Sequence, residues 1–179
     1  ILRPYRINAD SFSQALEFLE NTTSKITSLV KTTPTNFSNE KTMRDGAKAI
    51  FLQGDYSDAT AGLVLVNDLV DEFERTREAA LENFVNSSLT VSSYEKDYGK
   101  QFFSKAREVL SSSNASYSRG DYNNSLSQAG NALEQASKTI ELIDEFKLRQ
   151  EGLENSLESA ANEFGEVHFR QNREDLDAV

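Results

Sequence analysis

"LQGDYSDATAGL" (residues 52–63) and "SRGDYNNSLSQAG" (residues 118–130) place one tripeptide, Gly-Asp-Tyr, between segments whose apolar residues recur at helical spacing. Glycine is favoured just past a helix C-terminus, where the chain turns through positive φ. Aspartate is favoured at the N-cap that follows, where its carboxylate accepts free N–H groups. Gly54–Asp55 and Gly120–Asp121 meet both needs in two residues, and Tyr56 or Tyr122 adds a flat ring able to lie across the hairpin. Each site reads as a tight αα-hairpin turn.

The flanking segments agree with that reading. Only two prolines occur, Pro4 and Pro34, and the chain after Pro34 has none, as suits a helical protein. Between them Phe12, Leu16, Leu19, Thr23, Ile26 and Val30 line one helix face, with Asp10 or Ser11 as the expected N-cap. Met43, Ala47, Ile50 and Phe51 mark a shorter helix ending at Gly54. Ala59, Leu63, Val66, Val70, Phe73, Arg77, Ala80 and Phe84 then keep a heptad-like step, the cleanest periodicity in the chain. The hydroxyl-rich "NSSLTVSS" (residues 86–93) reads as a connection. Phe102, Ala106 and Val109 carry a fourth helix whose end, "SSSNASYS", is expected to fray.

The longest pattern follows the second turn: Ala129, Leu133, Ala136, Ile140, Ile143, Phe146, Leu153, Leu157, Ala160 and Phe164. A single helix of about 40 residues there would be roughly 60 Å long, so the molecule should be elongated. Strand-like alternation is limited to a weak trace in "EVHFR" near the end. The expected fold is all-α: an elongated bundle of four to five helices with long antiparallel hairpins. It forms one domain over residues 1–179, divisible into sub-units 1–90 and 91–179 related by the repeated turns. The start at Ile1 and the end in "NREDLDAV" read as a fragment of a longer protein.

Composition bounds the partners. The net charge of −10 is spread evenly, with 9 basic and 13 acidic groups in residues 1–90 and 10 and 16 in residues 91–179. Such a chain repels phosphates and has no basic cluster to override the repulsion, which argues against nucleic acid. The absence of cysteine excludes disulfides and thiolate chemistry. The most apolar window, Leu63–Val70, is too short and too polar to span a membrane.

The pattern of an alanine-bearing helix, Gly-Asp-Tyr and a small residue three positions on ("AIFLQGDYSDA", "ASYSRGDYNNS") resembles the turn within tetratricopeptide repeats. The two copies lie 66 residues apart, close to two such repeats. The helices after Tyr56 and Tyr122 are longer than that family's. In this they are similar to the hairpins of spectrin-like repeats, including those of bacterial septation-ring regulators, and to helical ectodomains of prokaryotic surface proteins. Such a resemblance implies a scaffold that works through its helix faces.

No residue set suggests catalysis, a cofactor or a metal. His168 is the lone histidine and is expected at the surface, so neither a zinc site nor a Cys-His nucleophile can be assembled. The acidic groups Asp68, Asp71, Glu72 and Glu74, and Asp144 with Glu145, read as solvated helix faces. "DYNNS" resembles the start of a calcium loop but has Ala132 where the bidentate glutamate belongs. Arg119-Gly120-Asp121 spells an adhesion tripeptide, yet its glycine and aspartate already have structural roles. Arg77 interrupts an apolar seam, and its guanidinium is expected to reach a carboxylate. Five Asn-x-Ser/Thr sequons, at Asn21, Asn36, Asn86, Asn114 and Asn123, exceed chance and tilt the reading toward an extracytoplasmic, glycosylated domain over a cytoplasmic one. The expected function is a non-enzymatic structural or protein-interaction module of a larger, membrane-anchored surface protein, working through a protein partner or self-association. The alternative is a helical sensor or ligand-binding ectodomain.

Overall fold

The computed structural model describes the backbone of residues 3–177 and the side chains of residues 9–165. Five helices run in order: α1 (Arg3–Thr32), α2 (Ser38–Leu52), α3 (Tyr56–Tyr98), α4 (Ser104–Ser118) and α5 (Tyr122–Asp177). One 3-10 turn, Lys100–Phe103, leads into α4, and no strand occurs among the described residues. The protein is an all-α helical bundle.

Ring and ion-pair contacts fix the directions. Phe12 near the start of α1 packs on Phe51 and Tyr56, both with ring centroids at 5.3 Å, and further along Lys25 pairs with Asp71. α1 and the first half of α3 are therefore parallel, and α2 runs back between them. Past residue 73, α3 leaves α1 and α2 behind and becomes the platform for α4 and α5. Two cores result. Ile26, Leu29, Phe37, Val66 and Val70 form the first, with Phe73 packed against it. Val91, Phe103, Ala106, Leu110, Ala132 and Ala136 form the second. Each core is a three-helix unit, and α3 belongs to both.

The units meet where the α1–α2 loop touches the second hairpin turn. Phe73 of α3 stacks edge-on against Phe37 on one side at 4.7 Å and Tyr122 on the other at 5.3 Å. Phe37 takes φ +51, an unusual conformation for a bulky residue. Its burial against Phe73 and the acceptance of Ser38 N–H by Asn36 Oδ1 at 3.0 Å hold it there.

Several sequence expectations are corrected. α1 starts at Arg3, so Asp10 and Ser11 lie inside the helix and cap nothing. The buried face of α1 is Ala15, Thr22, Ile26 and Leu29, whereas Phe12 and Val30 are exposed. Residues 86–93 are not a connection: α3 runs through them and across position 90 without a break. Ser87 and Val91 are buried there, and Thr90 donates its hydroxyl to Asn86 O at 2.9 Å, so the polar side chains cost the helix little. The end of α4 is regular to Ser118 because Ser113 and Ser116 are fully buried, while Phe103 rather than Phe102 enters the core. "EVHFR" lies within α5.

The shape is extended. α3 has 43 residues and α5 has 56, or about 64 Å and 84 Å at 1.5 Å per residue. The accessible surface is 12744 Å², against about 8700 Å² for a compact monomer of 20.0 kDa.

One charged residue sits in the second core. Glu95 is 4% exposed between Val91 and Phe103, and the Arg107 guanidinium grips both of its carboxylate oxygens. That hydrogen bonding, stronger than the opposing effect of burial, holds the Glu95 carboxyl below the usual carboxylate range. A depressed folded-state pKa contributes stability at neutral pH that is lost as pH falls through that value. Glu95→Gln should therefore lower Tm at pH 7, with the gap to the parent closing below about pH 4 in thermal melts. A gap that stays constant with pH would contradict the pairing.

Candidate functional site

The two hairpin turns are built alike. Gly54 takes φ +87 and Gly120 takes φ +84. Asp55 Oδ1 accepts from Asp58 N–H, and Asp121 Oδ1 accepts from Asn124 N–H, each at 3.2 Å. In the second turn Asp121 N–H also donates to Ser116 O at 3.0 Å, satisfying a carbonyl that the end of α4 leaves free. Tyr56 braces Phe12 and Phe51, and Tyr122 braces Tyr117 and Phe73. Burial pushes the Tyr122 phenol up, partly offset by nearby Arg77. Arg77 is half-buried beside this ring and, among the described residues, forms no ion pair, so the expected carboxylate partner is not there.

The α4–α5 hairpin is close-packed by small residues. Ala129, Ala132 and Ala136 are wholly buried against Ala106, Ser113 and Ser116. Ser113 donates to Ser125 O at 2.8 Å, and Ser116 donates to Gln128 Oε1 at 3.1 Å, so each buried hydroxyl has a partner. This bears on the sequons. All five asparagines, Asn21, Asn36, Asn86, Asn114 and Asn123, are exposed, and Asn36 alone lies in irregular backbone. Ser116 and Ser125, the hydroxyl members of the Asn114 and Asn123 sequons, are spent on internal packing.

The other candidate residues stay apart. Asp68 and Glu72 are exposed, Asp71 and Glu74 half-exposed, and Asp144 and Glu145 pair with Lys147 and Arg149 along their own helix. Arg119 is exposed, and Asp121 of the same tripeptide is engaged as a cap. The side chain of His168 lies outside the described residues. Among the described residues no three His, Asp or Glu side chains converge as metal ligands, and no helix is long and apolar enough to cross a membrane.

Two surface features stand out. The larger concavity, about 750 Å³, is a shallow groove between α1 and α2 edged by Thr23, Thr27, Lys31, Arg44 and Lys48. The other was not anticipated from the sequence. Ile143 is half-buried and Lys147 lies over the Tyr98 ring at 4.9 Å, but every residue from 144 to 165 is exposed. Phe146, Leu153 and Leu157, which continue the seam of α5, are 66–69% exposed. Large apolar residues at heptad spacing thus stand exposed on α5, a pattern that elsewhere in the chain is buried. No family model, curated protein or solved structure matches the chain.

The turns differ in one testable respect. A Cβ at Gly54 meets nothing, whereas one at Gly120 lies 2.9 Å from Pro34 Cγ and 3.0 Å from Thr35 Oγ1. Gly54→Ala should cost about 1–2 kcal/mol for its positive φ alone. Gly120→Ala should cost about 1–3 kcal/mol more through the clash at the joint between units. Denaturant melts giving equal losses would contradict the packing of the two units against each other.

Proposed function

We propose that the chain is a non-enzymatic helical spacer and protein-docking module of a larger, membrane-anchored surface protein, placed on the extracytoplasmic side. Its mechanism is geometric. A helix shared by two three-helix units fixes their separation and orientation without a flexible linker, so what is attached at either end is held at a set distance.

The observation that supports this reading most is the unbroken run of α3 through both cores, with Phe73 in contact with both. The hydroxyl-rich surface and the exposed sequon asparagines Asn21, Asn36 and Asn86 support the extracytoplasmic placement. The bare apolar seam of α5 supports docking as the second half of the role.

Small-angle scattering tests the spacer. The radius of gyration should lie well above the roughly 16 Å of a compact 179-residue domain. Thr76→Pro, at the joint, removes a helical hydrogen bond and should kink or break α3. Its maximum dimension should fall while most helicity is kept in circular dichroism. A globular profile for the parent, or an unchanged dimension in the variant, would sink the reading.

A further inference from the structure

The two three-helix units are copies offset by 66 residues, or by 65 in their first helices. α2 and α4 each have 15 residues, start at Ser38 and Ser104, and follow a buried phenylalanine, Phe37 or Phe103. The buried residues Ala59, Leu63, Val66 and Val70 of α3 correspond, 66 positions on, to the buried Ser125, Ala129, Ala132 and Ala136 of α5. The buried Ala15, Thr22 and Ile26 of α1 correspond, 65 positions on, to the buried Ala80, Ser87 and Val91 of α3. The last helix of one unit is thus the first helix of the next.

Carried 66 positions further, Ala80, Ser87 and Val91 fall on Phe146, Leu153 and Leu157, the exposed seam of α5. The sequence beyond keeps the register. Gly99, Phe103, Arg107, Glu108 and Leu110, which introduce α4, recur as Gly165, Phe169, Arg173, Glu174 and Leu176. Two independent features, a bare seam and a sequence match after it, point to the same alignment.

We infer that residues 140–164 are the first helix of a third unit, and that the seam is covered by a helical hairpin of the α4–α5 kind whose docking turns the chain at Gly165, a position through which α5 runs on as helix here. The partner has a definite chemistry. It is two antiparallel helices with a small-residue or apolar seam, the first led by a core phenylalanine. A second copy of the same α5 stretch is disfavoured as occupant. Residues 150–165 carry Glu151, Glu154, Glu158 and Glu163 and no lysine or arginine, so self-pairing in either direction sets carboxylates side by side. The inference deepens the spacer reading and rests on it, since a third unit would lengthen the same stack.

The test keeps the full chain and extends it in register. Val179 corresponds to Ser113, so a copy of residues 114–145 placed after Val179 supplies the rest of the hairpin with its own Gly-Asp-Tyr turn. Hydrogen exchange at residues 146–164 should slow at least about tenfold relative to the unextended chain, in a protein that sediments as a monomer. Leu153→Asp with Leu157→Asp in the extended chain should abolish that protection while the amides of α1 and α2 exchange as before. Unchanged exchange at residues 146–164 on extension would overturn the inference. So would an unextended chain that dimerises with concentration and protects the same residues, because the seam would then belong to a second copy. Scattering on the unextended chain reports on the spacer separately, so the two ideas can fail one without the other.

Discussion

One helix has to be buried twice, on two different cores, without a break. α3 carries Val66 and Val70 into the first core and Val91 into the second, and its 43 residues contain no proline. A heptad-like step sustained over that length keeps the seam near one side of the helix, so both hairpins can dock on it. If α3 bent or melted at its middle, the two cores would survive only as separate small bundles. Units of that size bury too little apolar surface to be strongly stable alone. The joint around Phe73, with Phe37 on one side and Tyr122 on the other, ties the fate of each core to the other.

The hairpins themselves are economical. A left-handed glycine, an aspartate cap and a tyrosine brace reverse the chain in the fewest residues. The second turn is also a contact surface, because Gly120 sits against Pro34. The small-residue seam of α4 and α5 compensates for a low apolar content. Alanine and serine bring the backbones close, and dispersion contacts plus serine hydrogen bonds replace the bulk of larger side chains. The same choice explains why hydroxyl-rich stretches such as 111–118 are structured helix.

Much of this was legible in the sequence, and the exceptions have physical causes. The turns at residues 54–56 and 120–122 could be read because glycine and aspartate have sharp local preferences. The seam from Ala59 to Phe84 could be read because its residues are apolar at a constant period. Residues 86–93 misled because serine and threonine are weak local signals that a buried heptad position overrides, as Ser87 does. Asp10 and Ser11 misled because a good cap residue is only a cap where the helix ends. The Glu95–Arg107 pair was not legible at all, since its members come from different helices 12 residues apart with no local signature. The latter half of α5 was read correctly as a seam but not as a bare one, because periodicity says which face is apolar and nothing about what covers it. The deeper repeat was visible in principle: Phe37 and Phe103 stand 66 residues apart, the same interval as the glycines.

The continuity of α3 can be measured directly, because the chain has no cysteine and two introduced ones would carry the only spin labels. Ser57 and Lys96 are exposed positions near its ends, separated by about 58 Å along an unbroken helix. Labels at Ser57→Cys and Lys96→Cys should give a single narrow distance distribution near that value in pulsed dipolar spectroscopy. A short or broad distribution, in a protein whose melting temperature matches the parent, would contradict the shared helix on which the whole account stands.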